Sequence, residues 1–358
     1  MQVLVFILVL SVLILVHELG HFLMAKKLGM KVEEFGIGYP PKAVKLFNWQ
    51  GTDFTLNWLP FGGFVRLHGE EYRKDEQGSG LFWQKPWWQR VLVMVAGVVM
   101  NFLLGVVLFG VVYSVVGIPE VTENVRVTEI VAGSPAEEAG IEENEVVVWG
   151  RGSDGEEISF KESKTMVELI DEYKGEEVVL GVGGEEGLRE VTVVPREDPP
   201  EGEGSLGVVL STVEMVKYPW WQMPFRGVVV GSQEAVAWGR MIVVGLGEMV
   251  KGLFAGEGIP EGVSGPIGVY EISSQATELG WLAVIQFTAV FSMNLAVLNI
   301  LPIPALDGGR IVFIALEAVV GKRKKNEIEG VVNTVGMLLL LVLMVLVSIR
   351  DVGRLLNL

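Results

Sequence analysis

The sequence predicts a polytopic α-helical membrane protein: four transmembrane helices, a membrane-associated β-hairpin or sheet, and one inserted extracytoplasmic α/β domain. Three observations predict it. Half of the 358 residues are hydrophobic, more than an ordinary soluble protein carries. Four apolar runs are each long enough to cross a bilayer, for which about 20 residues suffice: Val3 to Ala25, Val91 to Pro119, Leu279 to Leu306 and Val331 to Ile349. The formal charge of −16 is also unevenly spread. Ile118 to Gly280 holds 31 Asp+Glu against 11 Lys+Arg, which leaves the apolar remainder mildly basic. That acidity argues against a nucleic-acid partner. With no cysteine there is no disulfide, thiolate metal site or thiol nucleophile.

Residues 1–28 form the first transmembrane helix. The run lacks the basic start and small-residue cleavage site of a signal peptide, so it is expected to be retained. Residues 29–86 form a cytoplasmic-side loop: positions 24–90 carry 10 Lys+Arg, and basic residues beside spans favour the cytoplasm. Within it "AVKLF", "TDFTLNW" and "GFVRL" read as short strands of a membrane-associated sheet, with turns at "NWQG" and "PFGG". Trp87 and Trp88 open the second helix, 87–119, in the manner of an interfacial aromatic belt.

Residues 122–197 form the α/β domain. "VRVTEIV" alternates as a strand, a short helix starts near Ser134–Pro135 and stops at Gly140, and a further strand leads to Gly150. "KESKTMVELIDEYKG" places Met166, Leu169, Ile170 and Tyr173 on one helical stripe, and "EEVVLGV" and "REVTVVP" are two more strands. Residues 198–278 read as the polar linker "EDPPEGEGS" and an amphipathic helix, Gly227–Gly256, lying at the membrane surface. A fifth span is the alternative there, and it would put the C-terminus and the next basic turn on the wrong faces. Trp220 and Trp221 suit either a bilayer interface or packing within the domain. Residues 279–320 carry the third transmembrane helix, 321–330 a basic cytoplasmic turn with Lys322, Arg323, Lys324 and Lys325, and 331–358 the fourth helix and tail. Both basic segments follow odd-numbered spans, so they share the cytoplasmic side and the acidic domain lies outside.

The first helix contains "HELGH", with His17, Glu18 and His21 inside an otherwise apolar run. Ionisable groups in a membrane helix are costly and are functional candidates by default. Positions i and i+4 share a helix face, so both imidazoles can reach one ion. Zinc takes neutral histidine nitrogens and, in catalytic sites, keeps a position for water. Glu18 stands beside the first ligand, placed to take a proton from that water, which is the metalloprotease arrangement. A third protein ligand is needed. His68 lies in the charged segment "GGFVRLHGEEYRKDEQ" and fits poorly, whereas Asp307 is the one carboxylate between Glu278 and Glu317. Pro302 and Pro304 break the helix before it and Gly308 and Gly309 follow, as suits irregular backbone lining a cavity at membrane depth.

"HELGH" in the first span together with "NILPIPALDGG" in the third resembles the site-2 protease family of intramembrane zinc metalloproteases, most of all its bacterial branch, the regulators of sigma-E proteases. "FGIGYPP", "LPFGGFVRL" and "SGPIGV" fall where that family has corresponding pieces. The resemblance implies a zinc endopeptidase of the bacterial inner (cytoplasmic) membrane with His17, His21 and Asp307 on Zn2+ and Glu18 as catalytic base. It implies Asn294 and Asn299 as groups that hold an unwound substrate, with the Pro302/Pro304 turn beside them. Its expected partners are the lipid bilayer and single-pass transmembrane proteins, such as anti-sigma factors or remnant signal peptides, cut within the membrane. An edge of the cytoplasmic sheet would pair with the extended substrate; Gly36 and Gly38, with Gly62 and Gly63, would let backbones approach closely.

The acidic domain, through "GSPAEEAGI", resembles a PDZ domain of bacterial membrane and periplasmic proteases, in one copy rather than two. It departs from the pattern where "WGRGSDGEE" follows the second strand. Capture of a peptide C-terminus or trimmed substrate, and a cap that only limits size, therefore both stay open. Two competing readings are a prenyl-protein type metallopeptidase and a non-catalytic membrane PDZ scaffold with a structural metal site. The first is disfavoured because it takes a downstream glutamate from a later span; the second would hold its metal with no open position.

Overall fold

The computed structural model describes residues 1–70, 80–184, 187–200, 202–255 and 264–356. Arg73 and Lys74 of the basic loop, Glu201 of the linker and Gly256 at the end of the expected surface helix lie outside the described residues. The chain divides into two compact units, Met1–Val115 with Pro224–Leu358, and Val116–Met223.

In the first unit four helices are long and apolar enough to cross a membrane: Gln2–Lys27, Trp87–Val116, Trp281–Ile300 and Glu327–Arg354. Helix α1 (Gln2–Lys27) is apolar on all sides, and its buried line Val9, Leu13, His17 and His21 follows the four-residue step of one face. Gly20 lies on the same side: a methyl there would strike the carbonyl of Ala96 in α2 (Trp87–Val116), so the two helices meet at backbone contact.

Between α1 and α2 the chain forms two long strands, β1 (Val32–Trp49) and β2 (Thr52–Leu67), rather than three short ones. Each is folded on itself. Phe35 pairs with both Val65 and Phe54, and Lys45 with Thr55. Across the ribbon the order is therefore 63–67, 32–37, 52–57 and 42–49. The reversal at Gln50–Gly51 falls where "NWQG" was expected to turn, while "PFGG" lies inside β2 and bends it at Gly62, whose φ of 77° an L side chain rarely adopts. Phe22, Phe35, Leu67, Val93 and Ile314 form the core that joins this sheet to the helices.

Helix α5 (Met223–Ala255) corrects the expectation of a helix lying at the surface. Gly227 and Gly231 sit directly on Ser114 and Gly110 of α2, and Ala235 joins Phe109, Ala289 and Met293 in a second core. The small residues that weaken a helix assignment by composition are what let α5 run along α2 and α7 (Trp281–Ile300). Helix α6 (Pro266–Leu279) begins at a carboxylate: the N–H groups of Gly265 and Gly268 donate to Asp351 Oδ2, at 3.0 and 2.9 Å, from α9 (Lys322–Leu355). The third span stops at Ile300 and resumes as α8 (Asp307–Val320). The expected basic turn is confined to Gly321, φ 79°; from Lys322 the chain is already helical.

The second unit is a six-stranded antiparallel sheet of order β7-β6-β4-β3-β8, with β5 on β4. Its members are β3 (Ile118–Ile130), β4 (Val146–Arg151), β5 (Glu157–Ser159), β6 (Val178–Gly184), β7 (Gly187–Val193) and β8 (Val208–Val216), with helices α3 (Pro135–Glu138) and α4 (Ser163–Glu172). Ser134 caps α3, accepting the Glu137 N–H, and Met166, Leu169 and Ile170 pack into the core with Val125, Val147 and Leu180. β8 comes from the stretch read as linker and helix. Its pairing with the outer side of β3, Leu210 opposite Val127 and Val208 opposite Ile130, carries the domain beyond residue 197.

Candidate metal centre

His17 and His21 project from one face of α1 toward the start of α8. His17 Nε2 lies 2.8 Å from Asp307 Oδ2, His21 Nε2 lies 3.1 Å from the same oxygen, and the two Nε2 atoms are 3.1 Å apart. Both imidazoles are buried. Among the described residues this is the group of His, Asp and Glu side chains whose donor atoms converge on one point.

The break in the third span is what delivers Asp307. After Ile300 the chain makes a tight path, with Ile303 N–H donating to the Leu301 carbonyl and Ala305 in the left-handed region at φ 70°. A methyl on Gly308 would collide with the carbonyls of Leu301 and Ile300, and one on Gly309 with that of Ile303. The two glycines thus allow α8 to start pressed against the preceding turn, and Asp307, its first residue, reaches the histidines.

The donor set fits zinc. Ligand atoms about 2.0–2.1 Å from a tetrahedral zinc stand roughly 3.3 Å apart, so the three observed separations need only a small outward adjustment. His21 Nδ1 is 2.7 Å from the carbonyl of Val93, an acceptor that fixes the proton on Nδ1 and leaves Nε2 its lone pair. Two neutral imidazoles and one carboxylate leave a fourth position for water, as in catalytic rather than closed structural sites.

These groups open on a cavity of about 450 Å³, lined also by Glu18, Tyr39, Val65, Asn101, Asn299 and Arg310. Glu18 Oε2 accepts the Val65 backbone N–H at 3.0 Å. Val65 belongs to the outermost segment of the folded ribbon, so an unpaired sheet edge faces the site. Arg310 reaches across to pair with Glu70.

The structure brings His17, Glu18, His21, Asp307 and Asn299 to one cavity. Among the described residues Asn294, Pro302 and Pro304 do not line it; Pro304 instead packs on Gly336 of α9. Gly62 and Gly63 lie against Ile14 and Leu15 of α1, and Gly38 against the Leu59 carbonyl, so these glycines serve close packing of the ribbon. Gly36 lies beneath the Phe64 ring, which lines the cavity. His68 pairs with Glu33 at 2.6 Å, away from the metal site. Sequence reasoning missed Tyr39, Asn101 and the Val93 carbonyl. Of these Asn101 carried a signal: it is an amide within 29 uncharged residues of a membrane span.

Comparison with known proteins gives the same answer along the whole chain. The family model for peptidase family M50 matches residues 5–343. A Clostridium acetobutylicum protein whose name suggests a zinc metalloprotease is 32% identical, over 98% of this chain and 97% of its own. The zinc metalloprotease RasP of Shouchella clausii is 30% identical, over 98% of this chain and 99% of its own. The regulator of sigma-W protease RasP of Bacillus subtilis is 26% identical, over 99% and 98%.

Proposed function

We propose that this chain, which belongs to peptidase family M50 and is an intramembrane zinc metalloprotease, holds its metal on His17, His21 and Asp307 and uses Glu18 as the base. The observation that carries the assignment is the convergence of three donor atoms within 3.1 Å of one another beside a half-buried glutamate. Zinc bound there supplies Lewis acidity and a water of lowered pKa. The remaining work falls to the chain. Glu18 takes the proton of the attacking water and returns it to the leaving amine. Asn299, on the cavity wall, donates and accepts for backbone that has left its helix, since an unpaired amide in hydrocarbon costs several kcal/mol.

The edge at Val65 is where an extended substrate strand adds. A substrate carbonyl that accepts the Val65 N–H takes over the bond now made to Glu18, 3.0 Å long, and frees that carboxylate for the water. Docking and readiness of the base are then one event.

The substrate is a single-pass membrane protein in the bacterial inner membrane, of the kind that restrains a sigma factor, in keeping with the name of the Bacillus subtilis relative. The second unit is a PDZ-like domain on the extracytoplasmic face that receives the trimmed end of the substrate. A cavity of about 290 Å³ lies between α4 and β8, lined by Met166, Ile170, Leu206 and Val208 and by the Gly204–Gly207 loop. Among the described residues β8 pairs with β3 alone, so its other edge is open to a peptide.

The test is cleavage of purified single-pass segments with and without chelator. Glu18→Gln is expected to abolish cleavage while zinc content stays at the parent level. Full activity in that variant would remove Glu18 from the reaction.

A further inference from the structure

Helix α2 presents Val93, Gly97 and Asn101 at four-residue steps, on one stripe facing the histidines of α1. Two of the three have a visible task. The Val93 carbonyl accepts from His21 Nδ1. Gly97 leaves room for both rings: a methyl there would come within 2.6 Å of His21 Nε2 and 2.7 Å of His17 Cε1.

Asn101 is the third. Its side chain is wholly buried, its carboxamide nitrogen lies 3.4 Å from His17 Nδ1, and its Oδ1 has no hydrogen-bond partner among the described residues. The packing of α2 on α7 does not account for an amide here, because the contact with Ser292 uses the backbone: Ser292 Oγ–H donates to the Asn101 carbonyl at 2.7 Å. A carboxamide can turn either end toward its neighbour. A half turn sets Oδ1 opposite His17 Nδ1 and puts the NH2 where Oδ1 now stands.

We propose that Asn101 is a positioning residue of the metal centre: its Oδ1 accepts the Nδ1–H of His17 and so fixes the tautomer and ring plane in which Nε2 is free to bind zinc. The inference rests on His17 being a ligand, as read above. With the carboxamide turned, each α1 histidine has an acceptor on α2: the Val93 carbonyl, already in place, for His21, and Asn101 for His17.

The experiment uses the full chain in detergent, with zinc affinity read by chelator competition and geometry by the visible spectrum of the cobalt-substituted protein. Asn101→Leu keeps the volume and removes the acceptor; Asn101→Asp keeps the acceptor. Loss of an outer-shell partner typically costs 10–100-fold in metal affinity. Asn101→Leu is expected to lose about that much and to shift the cobalt bands, and Asn101→Asp to stay within about threefold of the parent, on the same scale. An Asn101→Leu protein that keeps parental affinity and spectrum overturns the proposal, as does an Asn101→Asp protein that falls as far. With three histidines in the chain, 15N-histidine spectra of the zinc-loaded parent give a check independent of any Asn101 variant: His17 Nδ1 must carry the proton, and an unprotonated Nδ1 overturns the inference. His17→Ala separates the two levels. If it retains zinc, the ligand assignment itself fails; if it loses zinc while Asn101→Leu does not, only the role of Asn101 fails.

Discussion

Gly97→Ala is the substitution that tests the metal centre with least disturbance elsewhere. The added methyl would lie 2.6 Å from His21 Nε2 and 2.7 Å from the Cε1 atoms of both rings. Ordinary contact is about 3.4 Å or more, so the rings or the helix must give way by roughly 0.8 Å. His21 is tethered to Val93 on the same helix, four residues away, and cannot retreat without breaking that bond. Zinc sites tolerate departures of only about 0.2 Å in ligand distance. A displacement of this size therefore predicts a loss of zinc affinity of about 100-fold, the upper part of the range for disturbed metal sites, and a comparable loss of cleavage, since about 1 Å of misplacement costs on the order of 10²-fold. Alanine is favoured over glycine in a helix interior by about 0.8–1 kcal/mol, while overpacking costs about 1–3 kcal/mol, so the stability of the metal-free protein to thermal unfolding should fall by no more than about 2 kcal/mol, less than the loss of zinc affinity and cleavage implies. The assay pairs chelator competition with cleavage rate, and Gly330→Ala in α9, with nothing within 4 Å of the added carbon, is the control. A Gly97→Ala protein that binds zinc and cleaves as the parent does would refute the packing argument and with it the placement of α2 over the histidines.

Two further outcomes follow from the rest of the molecule. Arg90 and Glu317 form a buried bidentate pair between α2 and α8, with Nη1–Oε2 at 2.6 Å and Nη2–Oε1 at 3.1 Å; Arg90→Met strands the carboxylate and should cost about 3–5 kcal/mol, while adding Glu317→Leu should restore most of it, read by thermal unfolding in detergent. In the second unit, the hydrogen bond from Arg126 holds the Glu214 carboxyl below the usual glutamate range. The stability it contributes is fully present above the ordinary glutamate pKa and is lost as pH falls through the lowered one, so limited proteolysis of β3–β8 should accelerate in acid for the parent and show a weaker pH dependence for Glu214→Gln.

How much of this was legible in the sequence depended on how local each cause is. The four spans follow from runs of apolar residues, and the His17/His21 pairing follows from the helical repeat, both of which are properties of adjacent residues. Asp307 was legible because charge is scarce in the third span, so its partner had to be near. The partner of helix α5 was not legible because a glycine at 227 or 231 has one meaning in isolation, a weakened helix, and another against Gly110, a close crossing. β8 was missed because its pairing partner, β3, lies about 80 residues earlier, and a short alternation without that partner reads as linker. The folded ribbon was seen as strands but not as a double pairing of residues 34–37, which only the three-dimensional path of "PFGG" creates.

The polar groups buried among these helices also sort by how completely they are partnered. Asp351 receives two backbone N–H groups at the start of α6, and Arg90 meets Glu317 through both terminal nitrogens. In hydrocarbon such pairing is what makes a polar group tolerable, and groups so paired hold helices together even though the Arg90 Nε has no partner among the described residues. The cavity beside α1 is different. Glu18 has a backbone amide that a substrate strand would compete for, and Asn101 Oδ1, without a partner among the described residues, is the acceptor proposed above for His17. Incomplete pairing at such depth is costly unless a bound partner completes it. Asn57 Oδ1, Gln89 Oε1 and Arg90 Nε are also without a partner among the described residues, so unmet hydrogen bonds alone do not mark a site; what singles out the point between the first and third spans is the convergence there of the two imidazoles and Asp307. Metal, water and substrate backbone are the partners this arrangement would take, since the three donor atoms and the Glu18 carboxylate open on one cavity.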